Sequence, residues 1–254
     1  GSKITLTYGQ ALNEDGTVVK WGGPDGKTNH WWPHAYIQQD NYIAKGTGDE
    51  SFEPKFSYKG HQYIQIDGFE GELTAENITI YRVSNGVDHI STFTSSNEML
   101  NQLHLMMQRA MANNFQGEHC DPVLEKCGWL GDANVSLGSL MYSYDMAASL
   151  PGWLAVMEDC FEQYGSVTVT APTADWWIDN TPVWNTLFVY GVEGLEQYFG
   201  TAEYAAGKYD VLRRYALMQI EELKKNGWVW GDGGLGDWVA PIGGSDPDVA
   251  YNEN

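Results

Sequence analysis

Residues 118–134 read Glu-His-Cys-Asp-Pro-Val-Leu-Glu-Lys-Cys-Gly-Trp-Leu-Gly-Asp-Ala-Asn, and the rest of the chain changes character on either side of them. The stretch sets the acids Glu118, Asp121, Glu125 and Asp132 and the thiol of Cys120 around one Pro, two Gly and a Trp. Pro122, Gly128 and Gly131 make it a poor helix and a poor strand, which predicts an ordered loop. Gly131-Asp132 then opens an apolar helical pattern, with Asp132 near the helix start. Loops without a function carry Ser, Asn and Lys; this one carries carboxylates beside a flat aromatic. Sugar cleavage needs that combination, because one carboxyl hands over a proton, another holds or activates the attacking group, and an aromatic face covers the C–H face of the ring. A capped helix start with solvated acids has the same composition, and the stretch taken alone fits both descriptions equally.

Upstream, residues 3 to about 92 read as β structure. Ile4–Tyr8, Phe56–Tyr58, Gln62–Ile66 and Asn77–Val83 are strand-like runs, bounded by Lys59-Gly60, Asp67-Gly68 and Asn85-Gly86. No helical pattern of useful length precedes residue 95, so an antiparallel β-sandwich is expected over residues 3–93. Ser95 and Glu98 form a capping-box pattern. After it Met99, Leu100, Leu103, Met106, Met107 and Ala110 fall on one helical face, which core packing explains better than a ligand groove.

Downstream, helices are expected at about 134–148, 151–164, 181–199 and 202–225. Long helices in series suggest an α/α toroid, of which residues 94–254 are the N-terminal part. The connections alternate in kind. Those at 115–132, 165–181 and 227–246 are long and carry Trp and acids, whereas those at 149–150 and 200–201 are very short. In an up-down helical ring alternate loops share one rim, which would gather Glu125, Asp132, Asp175, Trp176, Trp177, Asp179, Asp237 and Trp238 around one mouth. Solvated acids and Trp used as rim packing are the plainer description of the same loops.

Pro122, Glu125-Lys126, Gly128-Trp129 and Gly131-Asp132 resemble, at matching spacing, the catalytic-loop signature of bacterial α-L-rhamnosidases, glycoside hydrolase family 78. Looser matches, Asp40–Ile43 with Gly46, Glu53–Phe56 and Gly60–Ile64, resemble the β-sandwich that precedes the barrel in that family. The resemblance implies an inverting glycosidase that releases terminal α-L-rhamnose from glycosides or polysaccharides. It makes Glu125 the general acid and Asp132 an acid that hydrogen-bonds rhamnose hydroxyls. It makes Trp129, Trp184 and Trp238 sugar-pocket aromatics, and the rim reading adds Trp177 and Asp237 to the candidate substrate contacts. One departure stands out: Cys120 occupies the place of the family's first Asp, so that substrate contact has either passed to Asp121 or been lost. The family's general base lies far downstream, and about five long helices are counted where a closed toroid has twelve. The resemblance therefore implies a fragment without its base, with a partner chain completing the barrel if the piece is stable alone. Two other readings keep the same scaffold: a non-catalytic carbohydrate-binding protein, and a related six-hairpin glycosidase or lyase with another sugar preference.

Composition excludes several classes. The 254 residues are 43% hydrophobic and 19% charged, which is globular. A net charge of −20 argues against nucleic acid and against anionic membranes as partners. No apolar run is long enough for a transmembrane helix. Three Cys without CxxC spacing and six scattered His predict neither a disulfide framework nor a metal site, and no cofactor motif is present. Gly1-Ser2 looks like a cloning remnant and no signal peptide is visible, so a cytoplasmic and a secreted location stay equally open.

Overall fold

The computed structural model describes residues 1–20, 38–119, 126–173, 178, 180–229 and 235. The chain divides into two compact units, one comprising residues 1–83 with the segment ending at Lys126, the other residues 84–120 and 127–254.

The first unit is built on one antiparallel sheet of order β2-β1-β3, with β1 Lys3–Gly9, β2 Gln39–Ile43 and β3 Tyr63–Asp67. β1 is central because its alternating Ile-Thr-Leu-Thr-Tyr run offers a ladder on both sides. Leu6 stands opposite Asp40 on one side and Ile66 on the other. Among the described residues of this unit the buried apolar side chains are Tyr8 and Val18. Polar ties supplement them. The Gln38 amide exchanges bonds with the Gly60 backbone, donating at 2.6 Å and accepting at 2.9 Å. Lys59 pairs with Asp40 at 3.4 Å. Burial, and after it the neighbouring Asp40, pushes the Tyr8 hydroxyl up to about 12. Glu50 caps the turn after β2, accepting from Tyr42 and from the backbone N–H groups of Lys45, Gly46 and Thr47. These bonds, that of Tyr42 foremost, hold its carboxyl down at about 2.

Two expected strands do not form. Phe56 sits at φ 57°, in the left-handed region, which breaks the 56–58 run. Asn77 ends a 3-10 turn over Ala75–Asn77, where its side chain accepts from the Thr74 backbone at 2.8 Å. Residues 78–83 then continue with no ladder partner among the described residues, and Ile80 is 71% exposed. A strand pattern is realised only where an edge receives it. The β part seen is therefore a small sheet.

The second unit begins ten residues before the division at 93–94 expected from the sequence. Residues 88–90 line up with the end of a helix: the Ile90 N–H donates to Ser143, and the Asp145 N–H to Asp88. The unit contains α1 Glu98–Asn114, α2 Leu130–Ser143, α3 Ser149–Tyr164, α4 Pro182–Asn185, α5 Leu187–Phe199, α6 Ala202–Gly207 and α7 Tyr209–Lys225. None of the described helices is long and apolar enough to cross a membrane.

α1 is capped by Asn97, whose side chain accepts from the Met99 N–H, and not by Ser95. The Ser95 hydroxyl is instead engaged with Asn97 and Asn101. α2 starts four residues before the expected position. It ends early because Tyr144 turns extended and pairs with His89. The two long helices expected downstream are each interrupted, at Thr186 and at Lys208.

The core lies among α2, α3 and α5, with Leu140, Met141, Leu154, Met157, Leu187, Phe188 and Leu195 almost fully enclosed. α5 comes close to α3 because residue 191 is Gly; a Cβ there would lie 2.8 Å from Leu154. The stripe on α1 corrects the core expectation. Met99 is 76% and Met106 64% exposed, and of α1 only Met111 is buried.

Candidate functional site

The segment Gly128–Leu130 is held as a short extended strip against Val169–Ala171. Leu130 donates to Val169 at 3.1 Å, Ala171 donates to Gly128 at 2.9 Å, and Trp129 bridges Thr170. The Ala171 carbonyl also accepts from the Trp153 indole at 2.7 Å, which fixes the strip to α3. Gly128 is needed because a Cβ there would overlap the Ala171 carbonyl. The segments 128–130 and 169–171 are thus joined at one place.

Gly131 lies flat on the indole of Trp184, where a Cβ would come within 2.5 Å of Trp184 Cε2. Trp184 is buried beneath the motif, and its indole N–H has no acceptor among the described residues. Asp132 follows in the first turn of α2 and is exposed. Trp129 is half-buried against the core. Asn134, one turn later, donates to the Val183 carbonyl at 2.9 Å and the Thr186 hydroxyl at 3.1 Å, bracing α4 against α2. Asn185 is fully buried and donates to Val167; Asn180 links it to Gln219 of α7.

Ahead of the motif, Phe115 and His119 close a small turn, in which the Gln116 N–H donates to Glu118. Burial raises the Glu118 carboxyl, and the Glu118 Cγ lies 3.1 Å from the place a Gly128 Cβ would take. His119 is buried, its Nδ1 has no partner among the described residues, and burial lowers its imidazole to about 4.

Lys126 belongs with the sheet unit. Its Nζ donates to the Tyr58 carbonyl at 2.6 Å and to Gln38 Oε1 at 3.3 Å, and stands 4.3 Å from the centre of the Tyr58 ring.

Of the residues singled out in the sequence, Trp129 lies in the paired strip, Asp132 follows it in the first turn of α2, and Trp184 packs against Gly131 between them. Cys120, Asp121, Glu125, Asp175, Trp176, Trp177, Asp179, Asp237 and Trp238 lie outside the described residues. In the third long loop Leu235 is described, and it is buried in the helical core. Sequence reasoning missed Asn134, Asn185 and the Lys126 cradle. Nothing in the local pattern announces them, because Asn134 meets Val183, Asn185 meets Val167 and Lys126 meets Tyr58 only in the fold. Among the described residues no group of three His, Cys, Asp or Glu could hold a metal ion, and Cys160 is a buried free thiol.

The chain joins an antiparallel sheet unit to a helical unit with a Gly-Trp-Leu-Gly-Asp turn at its second helix, and comparison with known proteins gives its family. The bacterial alpha-L-rhamnosidase 6 hairpin glycosidase domain matches residues 88–254, and the bacterial alpha-L-rhamnosidase concanavalin-like domain matches residues 1–84. The chain belongs to the bacterial α-L-rhamnosidase family. It is 25% identical over 241 residues to an alpha-L-rhamnosidase of Streptomyces avermitilis, covering 94% of this chain and 22% of that protein. With an alpha-L-rhamnosidase of Formosa agariphila it shares 36% identity over 148 residues, covering 58% of this chain and 15% of the relative. The S. avermitilis alpha-L-rhamnosidase structure complexed with L-rhamnose superposes with a TM-score of 0.77 at 25% identity, over 99% of this chain and 23% of that one. The alpha-L-rhamnosidase of Dictyoglumus thermophilum gives a TM-score of 0.76 at 25% identity, over 99% and 28%. The chain thus spans about a fifth of the length of the curated relatives it matches.

Proposed function

We propose that this chain carries the sugar-holding and proton-donating part of an inverting α-L-rhamnosidase. The observation that supports it most is the strip Gly128–Leu130 clamped to Val169–Ala171 with Gly131 on Trp184, in a chain of that family. This clamp holds Trp129 and Asp132 in fixed register. In this reading Glu125 is the general acid, and Asp132 accepts hydrogen bonds from rhamnose hydroxyls. Trp129, Trp177, Trp184 and Trp238 wall a pocket suited to the 6-methyl group of rhamnose, with Asp237 at its edge. Asp121 takes over the contact that Cys120 cannot make.

The second carboxylate of an inverting pair stands roughly 6.5–9.5 Å from the acid and activates water on the opposite sugar face. It is assigned to no residue of this chain and comes from the remainder of a longer protein or from a partner chain. The finer architecture belongs to the same proposal: a β-sandwich over 3–93, and over 94–254 part of an (α/α)6 toroid. A rhamnose-containing glycoside is the substrate.

Hydrolysis of p-nitrophenyl α-L-rhamnoside, with proton NMR of the first-formed anomer, tests the reaction. Glu125→Gln is expected to abolish turnover while calorimetric binding of L-rhamnose persists. Unchanged turnover removes Glu125 from its role. Rhamnose binding without any turnover favours the non-catalytic binding protein, to which the Cys120 departure also points.

A further inference from the structure

We propose that Asn134 is a positioning residue for Trp184: one amide on α2 sets where this indole stands, and through it the affinity for sugar. The inference rests on the reading of Trp184 as a wall of the rhamnose pocket. Trp184 sits in α4, which is four residues long. A single turn has too few internal hydrogen bonds to hold itself in place. The N–H groups of Trp184 and Asn185 donate to the Thr181 carbonyl, and that of Thr186 to Pro182, so these bonds shape the turn without fixing it to the rest of the helical unit. Nor does the ring nitrogen orient the indole, because its N–H is buried and has no acceptor among the described residues. The ring is therefore placed by its contact with α2 and by ties made to the backbone around it.

Asn134 supplies those ties. Its Nδ2 donates to the Val183 carbonyl at 2.9 Å and to the Thr186 hydroxyl at 3.1 Å, so one amide grips the chain on both sides of residue 184. The Thr186 hydroxyl also donates to the Val183 carbonyl at 3.4 Å. Asn134 follows Gly131 by three residues, and positions three apart share a helix face. The face of α2 that receives the indole at Gly131 thus also holds the turn that carries it. The fit leaves no slack, since a Cβ on Gly131 would overlap the ring. Asn185 completes the seat: it is fully buried and donates to the Val167 carbonyl and to Asn180 Oδ1. Val183 is 57% exposed, so apolar burial adds little on the side that Asn134 holds. A sugar stacked on an aromatic face needs that face in van der Waals contact. A wall displaced by about 1 Å forfeits much of that attraction while the fold survives. Loosening the turn therefore acts on sugar affinity.

The test reads the indole and the affinity separately on the full chain. Incorporated 5-fluorotryptophan gives fluorine-19 signals, and that of Trp184 is the one missing in Trp184→Phe. L-rhamnose binding is measured by calorimetry. Asn134→Ala is expected to move the Trp184 signal and to weaken L-rhamnose binding about tenfold, the size of one lost hydrogen-bonding group. Asn134→Asp keeps the volume and removes the donor, and is expected to match Asn134→Ala. Thr186→Val removes one acceptor and is expected to move the signal less, with a loss of about threefold; it is read in place of Asn134→Ala if that variant does not fold. Met157→Ala, which hollows the core at α3, is expected to lower the melting temperature and leave both signal and affinity where they were. A Trp184 signal unmoved in Asn134→Ala overturns the proposal. So does an Asp variant that behaves as the unaltered chain, or a Met157→Ala shift as large as that of Asn134→Ala. A moved signal with unchanged affinity overturns the link to sugar binding. If the unaltered chain binds no L-rhamnose, the reading of Trp184 as a sugar wall falls, and the fluorine signal alone decides whether Asn134 places the indole.

Discussion

Glu118 and His119 are sequence neighbours that burial drives in opposite directions, and the two leave opposite marks on stability. For His119 the folded imidazole titrates near 4 against an ordinary 6.5. Between those values the unfolded chain binds a proton that the folded chain refuses, so stability rises with pH across the window and is lost as pH falls through it. The gap corresponds to roughly 3 kcal/mol at full expression. Glu118 is raised by burial, so the folded carboxyl holds its proton longer than the unfolded one, and stability falls as pH climbs above the usual carboxylate range. Urea unfolding at pH 4 to 7.5 should show His119→Leu flattening the acid limb and Glu118→Gln raising stability at pH 7. An acid limb that keeps its slope without His119 assigns it to other groups. At this scale the motif glycines are also explained: Gly128 and Gly131 are contact points, with the Ala171 carbonyl and the Trp184 indole occupying the space a Cβ would need.

Elements were legible in the sequence where their signal was local. Ile4–Tyr8 and Gln62–Ile66 became β1 and β3, and α3, α5 and α7 follow the apolar spacing to within a turn or an interruption. Failures came where the outcome depends on a distant partner. Asn77–Val83 has a strand's pattern and no ladder among the described residues, and α2 starts at Leu130 because that residue is tied to Val169 across the chain. The site shows the same division. Gly131-Asp132 as a helix start was readable, but the burial of Trp184 beneath Gly131 was not, since residues 131 and 184 meet only in the fold. α1 is the sharpest case, because its periodicity is correct and its inferred burial is not. Leu103 is 51% exposed, whereas Leu140 of α2 is enclosed on every side. Leu103→Gln should therefore shift unfolding by less than about 0.5 kcal/mol, and Leu140→Ala should cost about 2–5 kcal/mol. Thermal and urea denaturation of the two variants checks this; a large loss at Leu103 would mean that α1 packs its stripe in solution.

The two units are held together internally by different means. In the helical unit one continuous cluster of apolar side chains runs from Met111 to Leu235 and takes in α2, α3, α5 and α7. In the sheet unit the described apolar burial is confined to Tyr8 and Val18, and much of the work falls to Lys59–Asp40, Gln38–Gly60 and the Glu50 turn. Hydrophobic burial scales with the area removed from water, at about 25 cal/mol per Å², while exposed and half-exposed polar ties contribute about 1 kcal/mol or less each. The sheet unit should accordingly open first. Native-state hydrogen exchange is expected to show β1–β3 amides exchanging through openings well below the global unfolding free energy, with α2, α3 and α5 amides exchanging only near it. Raising the salt concentration should widen the separation, because screening weakens Lys59–Asp40 and leaves the apolar cluster untouched. If β1 amides are as well protected as those of α2 and respond to denaturant with the same slope, the chain unfolds as one cooperative body, and the polar ties of the sheet contribute more than their number suggests.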